Sequence, residues 1–304
     1  MLKTGLVGNP TDPQMQTVMR HPGFEVSGFC DTSDSNQAEY YRGAPARLTE
    51  KELIEKTDAL IFKTITPGTT GLLSEALKNS RHAMLLNTDG LSAEDITCLI
   101  KLSEESQTVI QARKNAHANP ALDACYPMIA HPLLMEIKMM TSATLTGQCD
   151  PGIAGNLHKI VDIILSVCTS NVKKVYALKQ PGGASFFGFL SARIEFDNGS
   201  AASIIYTTLT GNEGFEIDIY QKDRLMKVDV HNNRLGIYDK TQTGRKVSYK
   251  YSEFGRIDDS YLYYDLERFS RAVATNSTAG RDLFDMYKTT ELNSLIRQKA
   301  GITK

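Results

Sequence analysis

The first third of the chain alternates between short apolar runs and segments with the period of amphipathic helices. The apolar runs read TGLVG, FEVSGFC, DALIFKTI, HAMLLN and TVIQA, and segments such as TTGLLSEALKNS and SAEDITCLIKLSEES separate them. Strands in strict alternation with helices are typical of a parallel sheet that is covered by helices on both faces. The pattern therefore predicts a doubly wound α/β domain over residues 1–118.

After about residue 118 the pattern changes to long strands of alternating polarity. One helix is predicted from Leu157 to Val167, and the strands that follow read KKVYALK, SARIEFDNGSAASIIYTT, FEIDIYQKDRLMKVDV, RLGIYD and KVSYKYS. The Asn-Gly pair within DNGS predicts a hairpin turn, because these residues accept positive φ angles. Amphipathic helices at Tyr261–Ala274 and Leu283–Lys299 close the chain. Residues 119–304 are thus predicted to form an α+β domain with a mostly antiparallel sheet, whose closing helices could pack back on the first domain.

Composition narrows the range of partners. The 304 residues include 34 basic and 35 acidic side chains, so no broad electrostatic field favours nucleic acid or an acidic membrane surface. The first residues lead straight into a strand, and no apolar run approaches bilayer length. Five scattered cysteines without a Cys-x-x-Cys pair, and histidines without ligand spacing, predict no disulfide framework and no metal site. We therefore expect a cytoplasmic protein that binds neither nucleic acid nor membrane.

The stretch GLVGNPTDP joins the first strand to the first helix and begins like a dinucleotide-binding turn. Gly8 stands where a Rossmann turn bends sharply, but Pro10 and Pro13 replace the two later glycines that let the backbone approach the diphosphate. Proline has no N–H to donate. Asp12, the expected N-cap of the helix, also brings negative charge to the end that attracts an anion. Weak diphosphate binding in the usual geometry is therefore predicted.

An acidic residue at the end of the second predicted strand favours a particular dinucleotide. Asp31 lies near the spacing after Gly8 at which a carboxylate binds the adenosine ribose hydroxyls and disfavours NADP. The alternative is that Asp31 and Asp34 form side-chain turns within DTSD. In the first interpretation NAD binds along Gly8, Asn9, Pro10 and Asp31, and both interpretations stay open.

In order and spacing, these segments resemble the Gfo/Idh/MocA family of NAD(P)-dependent sugar and polyol dehydrogenases over nearly the whole chain. DALIFKTITP followed by ALKNSRHAMLLNTD resembles the family's DAVxIxTP strand and its AL-x-a-G-K-H-V-x-x-E-K-P segment, and DIILSVCTSNVKKVYAL and IEFDNGSAASI resemble later family segments. The resemblance implies a Rossmann domain with an NAD site that includes Thr66 and Pro67. It also implies an open-faced C-terminal sheet that forms a homodimer or higher homo-oligomer, and hydride transfer with a sugar or polyol-like alcohol.

The positions that match the family's catalytic residues carry other side chains. The neutral amide of Asn87 stands where the family has its lysine, and Lys159 stands where it has its acid/base histidine, unless a one-residue shift puts His158 there. His117 lies near the family's arginine, and for both histidines a purely structural role is the alternative. Lys63, at the end of a predicted strand, is either a relocated cation of the site or a lysine that reaches solvent at the sheet edge.

Two functions remain open from these residues. The first is an NAD-dependent oxidoreductase with a rearranged catalytic site. The second is a non-catalytic relative that keeps the Rossmann domain as a scaffold, binding a small ligand or mediating assembly. A different nucleotide, such as a coenzyme A-type ligand over the same turn, is a third possibility, and the sequence does not decide whether the chain is an enzyme.

Overall fold

The computed structural model of the protein describes ten segments of the chain: residues 1–31, 45–88, 90–113, 119–142, 151–181, 187–209, 211–240, 247–254, 260–277 and 283–302. The chain forms two compact units. The first unit comprises Met1–Lys114 and Asp258–Thr290, and the second comprises Asn115–Ile257 and Glu291–Lys304. Each unit is therefore built from two separate stretches of the chain.

The first unit contains a five-stranded parallel sheet. Its strands are β1 (Leu2–Val7), β2 (Phe24–Cys30), β3 (Ala59–Phe62), β4 (His82–Leu85) and β5 (Ile110–Ala112), in the spatial order β2-β1-β3-β4-β5. Between the strands along the chain lie α1 (Pro13–Arg20), α2 (Glu50–Lys56), α3 (Pro67–Lys78) and α4 (Ala93–Ser106). The predicted doubly wound parallel sheet is confirmed.

Both faces of this sheet are buried. Within β3, Ala59 and Ile61 contribute to one apolar cluster, whereas Leu60 and Phe62 contribute to the other. Helices α2, α3 and α4 supply the second cluster. The first cluster receives side chains from α1 and from α7 (Ser260–Thr275), a helix near the end of the chain. A strand buried on both faces reads as a continuous apolar run, which is the pattern of ALIF in β3.

Side-chain caps fix where two of these helices begin. The carboxylate of Asp12 accepts the N–H of Gln14 at 2.9 Å and so caps α1, as predicted. Ser92 and Asp95 form a capping box at the start of α4, with the Asp95 N–H donating to Ser92 Oγ at 3.1 Å. Both helices therefore start at the residues that the local sequence predicts.

The second unit contains an eight-stranded sheet in the order β13-β12-β11-β10-β6-β9-β8-β7. Its strands are β6 (Leu134–Met140), β7 (Val172–Pro181), β8 (Phe187–Phe196), β9 (Ala201–Thr207), β10 (Gly214–Tyr220), β11 (Arg224–Asp229), β12 (Arg234–Lys240) and β13 (Val247–Glu253). All neighbouring strands are antiparallel except β6 and β9, which are parallel. The predicted mostly antiparallel sheet is confirmed, and Gly199, at φ 83°, makes the predicted turn between β8 and β9.

One face of the larger sheet packs against a long helix. The helices of this part of the chain are α5 (Pro120–Asp123), α6 (Pro151–Val167) and, from Glu291 onward, α8 (Leu283–Lys299). Leu157 and Ile164 of α6 share an apolar cluster with Ile137, Ile204 and Ile217 of the sheet. Helix α6 begins six residues before the predicted start at Leu157. This helix and the strand ends beside it position the cavity described below.

The strand β6, near the middle of the larger sheet, is absent from the sequence prediction. Its sequence LMEIKMM does alternate, with Met135, Ile137 and Met139 buried. Methionine, glutamate and lysine are nevertheless weak strand formers, so the segment lacks the β-branched and aromatic residues that mark the other strands. Burial against α6 and pairing on both sides override that weak local preference.

Within the described segments, no helix is both long and apolar enough to cross a membrane. The same residues contain no group of three or more His, Cys, Asp or Glu side chains that could hold a metal ion.

Candidate functional site

The strands of the first sheet end along one edge, which is where ligands bind in doubly wound sheets. The strand order reverses between β1 and β3, so the crevice between these two strands is the switch point of the fold. Gly8 follows β1 and Lys63 follows β3 directly, while Asp31 follows β2 and Asn87 lies just beyond β4. The structure therefore places these four predicted site residues on one sheet edge.

The loop that begins at Gly8 uses its N–H donors within the unit. Four backbone groups donate to internal acceptors: Gly8 to the Cys30 carbonyl at 2.8 Å, Thr11 to Asn9 Oδ1 at 2.9 Å, Asp12 to the Asn9 carbonyl at 3.2 Å, and Gln14 to Asp12 Oδ1 at 2.9 Å. Pro10 and Pro13 have no N–H. Backbone donors of the kind that a Rossmann turn offers to a diphosphate are thus hydrogen-bonded to groups of the same unit here.

Asp12 and Lys63 form an ion pair at the switch point. The ammonium nitrogen of Lys63 lies 2.8 Å from each carboxylate oxygen of Asp12 and 2.7 Å from Oε1 of Gln14. The side chains are partly buried, with 30% of Lys63 and 26% of Asp12 exposed. Burial acts to raise the pKa of Asp12, but the Lys63 ammonium and the Gln14 N–H together hold it below its ordinary value. Lys63 therefore pairs with Asp12, a contact that the sequence analysis did not predict either for a cation of the site or for a lysine that reaches solvent.

Gly8 allows the stem of Lys63 to pack closely over the loop. The φ angle of Gly8 is 135°, which an L side chain rarely adopts, and a Cβ atom there would lie 2.9 Å from Cβ of Lys63. In a Rossmann turn the backbone beside this glycine faces the nucleotide phosphates. Here the neighbouring strand supplies a side chain to that space.

The other predicted cofactor residues lie at the start of α3. The N–H of Thr66, the N-cap, donates to Thr69 Oγ1 at 2.8 Å, and Pro67 is the first residue of the helix. The N–H of Ile65 donates to the Asn87 carbonyl at 3.3 Å. The backbone of Asn87 thereby connects the end of β4 to the loop that precedes α3.

The second unit contains a cavity of about 430 Å³ beside the N-terminal half of α6. Its walls come from α6, the end of β6, the start of β10 and the residues after β11. The lining residues are Asn119, Leu122, Met139, Met140, Thr141, Asn156, Lys159, Ile163, Glu213, Gly214, Phe215, Val230 and His231. A cavity of a few hundred Å³ that combines apolar walls with several polar groups suits a small ligand.

A buried tyrosine fixes two polar groups of this cavity. The hydroxyl of Tyr206, which is fully buried, lies 3.1 Å from Thr141 Oγ1 and accepts a hydrogen bond from Asn156 Nδ2 at 3.3 Å. The ammonium nitrogen of Lys159 lies 5.4 Å from the centre of the Phe215 ring, a cation–π distance. The lining therefore combines a cation, an amide and a hydroxyl on a rigid support.

The two alternatives for the acid/base position occupy different places. Lys159 lines the cavity, whereas the adjacent His158 is only 4% exposed and is not among the lining residues. Consecutive side chains on a helix point about 100° apart, so two neighbours rarely share one face. The remaining candidate, His117, lies outside the described residues, as does Asp34.

Sequence reasoning missed two lining residues of this cavity and the buried tyrosine that holds them. Thr141 follows the strand β6, which was not predicted, and Asn156 precedes the predicted start of α6. Tyr206 was predicted only as part of a strand. The alternation within LMEIKMM was the one available signal, because it would have placed a strand end next to the helix that carries Lys159.

Comparisons with known proteins find similar structures but no similar sequences. No family model and no curated protein matches the sequence. Among solved structures, UDP-N-acetylglucosamine 3-dehydrogenase GnnA from Acidithiobacillus ferrooxidans aligns with a TM-score of 0.85 at 18% identity, covering 98% of this chain and 97% of that one. The dehydrogenase MviM from Clostridium difficile aligns with a TM-score of 0.83 at 14% identity, covering 98% and 99%.

A third structure contains ligands. Levoglucosan dehydrogenase, in complex with NADH and L-sorbose, aligns with a TM-score of 0.79 at 12% identity and covers 99% of this chain and 96% of that one. Identities this low establish the fold. The chain therefore has the fold of these dehydrogenases, which is the fold that the sequence resemblance implied.

Proposed function

We propose that this protein is an oxidoreductase that transfers hydride between NAD and a sugar- or polyol-like alcohol. The observation that carries the proposal is a cavity with several polar groups, Lys159 among them, in a chain that has the fold of sugar dehydrogenases. One similar structure is a dehydrogenase of a sugar nucleotide, and another was solved with NADH and a sugar. These neighbours support the sugar class of substrate.

The edge of the first sheet fits one half of a dinucleotide. Asp31 follows β2, which lies beside β1, and a carboxylate at that strand end accepts hydrogen bonds from ribose and disfavours the additional phosphate of NADP. This position supports NAD over NADP. A nicotinamide ring, when bound, would supply the hydride acceptor. The diphosphate half does not fit the loop as it stands, because Asp12 and Lys63 occupy that place.

Lys159 is the proposed proton-exchanging residue of the cavity. In the reducing direction its ammonium donates a proton to the substrate oxygen, and in the oxidising direction the neutral amine accepts the hydroxyl proton. Asn156 and Thr141, both held by Tyr206, would hydrogen-bond to other hydroxyls of the ligand. A polyhydroxylated ligand matches this mixture of donors and acceptors.

The test is turnover by the purified protein with a panel of sugars, polyols and sugar nucleotides, followed by NADH absorbance. We expect Lys159→Met to lower kcat by about 100-fold or more. Lys138→Met, which removes an exposed lysine of β6, is the matched control and should keep the wild-type rate. Absence of turnover with every member of the panel, or an unchanged rate in Lys159→Met, would contradict the proposal.

A second candidate is a non-catalytic protein that binds a small ligand in the same cavity. The observation that favours it is the loop after β1, whose N–H groups bond within the unit. Calorimetry with sugars, in the presence and absence of NAD, separates the two functions. Sugar binding without NAD binding and without turnover would support this second candidate.

We also infer that the open face of the larger sheet forms a homodimer. Leu178, Ser191 and Ile205 lie opposite one another across β7, β8 and β9, and Tyr176 is one pair further along β7. Leu178, Tyr176 and Ile205 are 57%, 52% and 37% exposed, which is unusual for neighbouring large apolar side chains. Light scattering should give a dimer mass for the wild type and a monomer mass for Leu178→Glu. Phe284→Glu, at another exposed apolar site, should leave the dimer intact.

A further inference from the structure

The ion pair of Asp12 and Lys63 stands where a dinucleotide diphosphate binds in a doubly wound sheet. The Asp12 carboxylate accepts a hydrogen bond from the Gln14 N–H at the start of α1 and pairs with the Lys63 ammonium after β3. A phosphate would bind the same kinds of group, a helix N-terminal N–H and a cation. We propose that this ion pair is an internal plug, and that Asp12 and Lys63 set the affinity of the chain for a dinucleotide that must open it. This inference rests on the proposed function.

The contacts of the plug define what opening requires. The Lys63 ammonium must exchange two carboxylate oxygens at 2.8 Å for phosphate oxygens, while Gln14, 2.7 Å away, can keep its bond. Asp12 must then face a diphosphate of the same sign in a partly buried site. The lowered pKa of Asp12 means that its carboxylate is ionised at neutral pH. Electrostatic repulsion by Asp12 and competition for Lys63 therefore act together against the ligand.

This arrangement predicts opposite effects of removing its two partners. Asp12→Asn removes the negative charge but keeps an oxygen that can cap α1, so Lys63 becomes available to the diphosphate and affinity rises. Lys63→Met leaves the Asp12 carboxylate in place without its cation, so affinity falls. If the pair had only a structural role, the two substitutions would not move affinity in opposite directions.

The experiment is calorimetric titration of wild type, Asp12→Asn and Lys63→Met with NADH and with ADP-ribose, which carries the diphosphate without nicotinamide. Asp218→Asn is the control, because it breaks a pair of similar length, 2.6 Å, with Lys227 in the second unit. Asp12→Ser serves as a second charge-removing variant that can cap the helix. Circular dichroism checks that each variant is folded.

We expect both Asp12 variants to bind NADH and ADP-ribose about tenfold or more tightly than wild type. Lys63→Met should bind more weakly than wild type, and Asp218→Asn should match it. Unchanged or weaker affinity in both Asp12 variants, including no binding at all, overturns the plug. The proposed function fails separately, if the Asp12 variants bind NADH tightly and no variant oxidises or reduces any sugar or polyol.

Discussion

The loop after β1 and the cavity beside α6 use their polar groups in different ways. In the loop, backbone donors, the Asp12 carboxylate and the Lys63 ammonium bond to one another and to neighbouring groups of the same unit. In the cavity, Tyr206 holds two polar groups in place while Lys159 lines about 430 Å³ of space. Substitutions in the loop should therefore change stability and dinucleotide affinity, whereas substitutions in the cavity should change mainly substrate binding and turnover.

The largest expected effect is that of Gly8→Ala. A side chain at φ 135° is strained, and its Cβ would press on Cβ of Lys63 at 2.9 Å, so we expect the free energy of unfolding to fall by about 2–4 kcal/mol. Urea denaturation measures this change. Gly199→Ala is the control, because φ there is 83° but no atom lies within 4 Å, and about 1 kcal/mol should be lost. Equal losses in both variants would mean that packing of Lys63 over the loop contributes nothing.

Two lysine substitutions test the comparison directly. Lys63→Met removes a partly buried ion pair and should lower the free energy of unfolding by about 1–2 kcal/mol. Lys159→Met removes a cation–π contact and should lower the free energy of unfolding by less than about 1 kcal/mol, although it should lower kcat. Urea denaturation of both variants under the same conditions measures which one loses more stability. A larger loss in Lys159→Met than in Lys63→Met would contradict the expected difference between the loop and the cavity.

Tyr206→Phe should sharpen the description of the cavity. The substitution removes the hydroxyl that meets Thr141 and Asn156, so we expect a loss of about 1 kcal/mol in stability and a higher KM for the substrate. Steady-state kinetics and urea denaturation measure the two effects. Tyr176→Phe, on the exposed face of β7, should change neither. An unchanged KM in Tyr206→Phe would argue against a ligand role for the two groups it holds.

The smallest expected effect is on the acid stability of the first unit. Burial lowers the pKa of His21 and His82 below the ordinary 6.5, although Glu267 and Asp58 partly raise them. Because the unfolded chain binds these protons more readily, the free energy of unfolding should fall as the pH drops below about 6.5. The Val109 N–H donates to His82 Nδ1, and the side-chain oxygen of asparagine could accept that bond. His82→Asn should therefore weaken the pH dependence. If the free energy of unfolding of the wild type instead rises below pH 6.5, and His82→Asn shows the same pH dependence, these histidines do not control the acid stability.

Much of the fold could be predicted because its signals are local. Runs such as ALIF in β3 are apolar at every position, and the Asn-Gly turn and the Asp12 and Ser92 caps each depend on a few adjacent residues. The strand β6 could not be predicted in the same way. Its stability comes from partners on β9 and β10, far away in the sequence, and its own residues are weak strand formers.

The candidate site was harder to predict for the same reason. Asp12 and Lys63 are 51 residues apart, and their contact depends on β1 and β3 being neighbours, which local patterns do not reveal. The choice between His158 and Lys159 depends on which face of α6 meets the sheet. That face is set by packing of residues such as Leu157 and Ile164 rather than by either candidate.

The contribution of α7 to the first sheet has a consequence for synthesis of the protein. Leu262, Leu266 and Phe269 fill the same apolar cluster as Leu6 and Ile61, yet they follow the last strand of that sheet by some 150 residues of chain. While the polypeptide emerges from the ribosome, α1 is the one helix of this cluster that can cover that face until α7 has been synthesised. Nascent chains of this protein therefore expose part of this apolar surface while the residues between β5 and α7 are being added, which makes the face covered by α7 the place where a chaperone would bind and where premature termination would lead to aggregation.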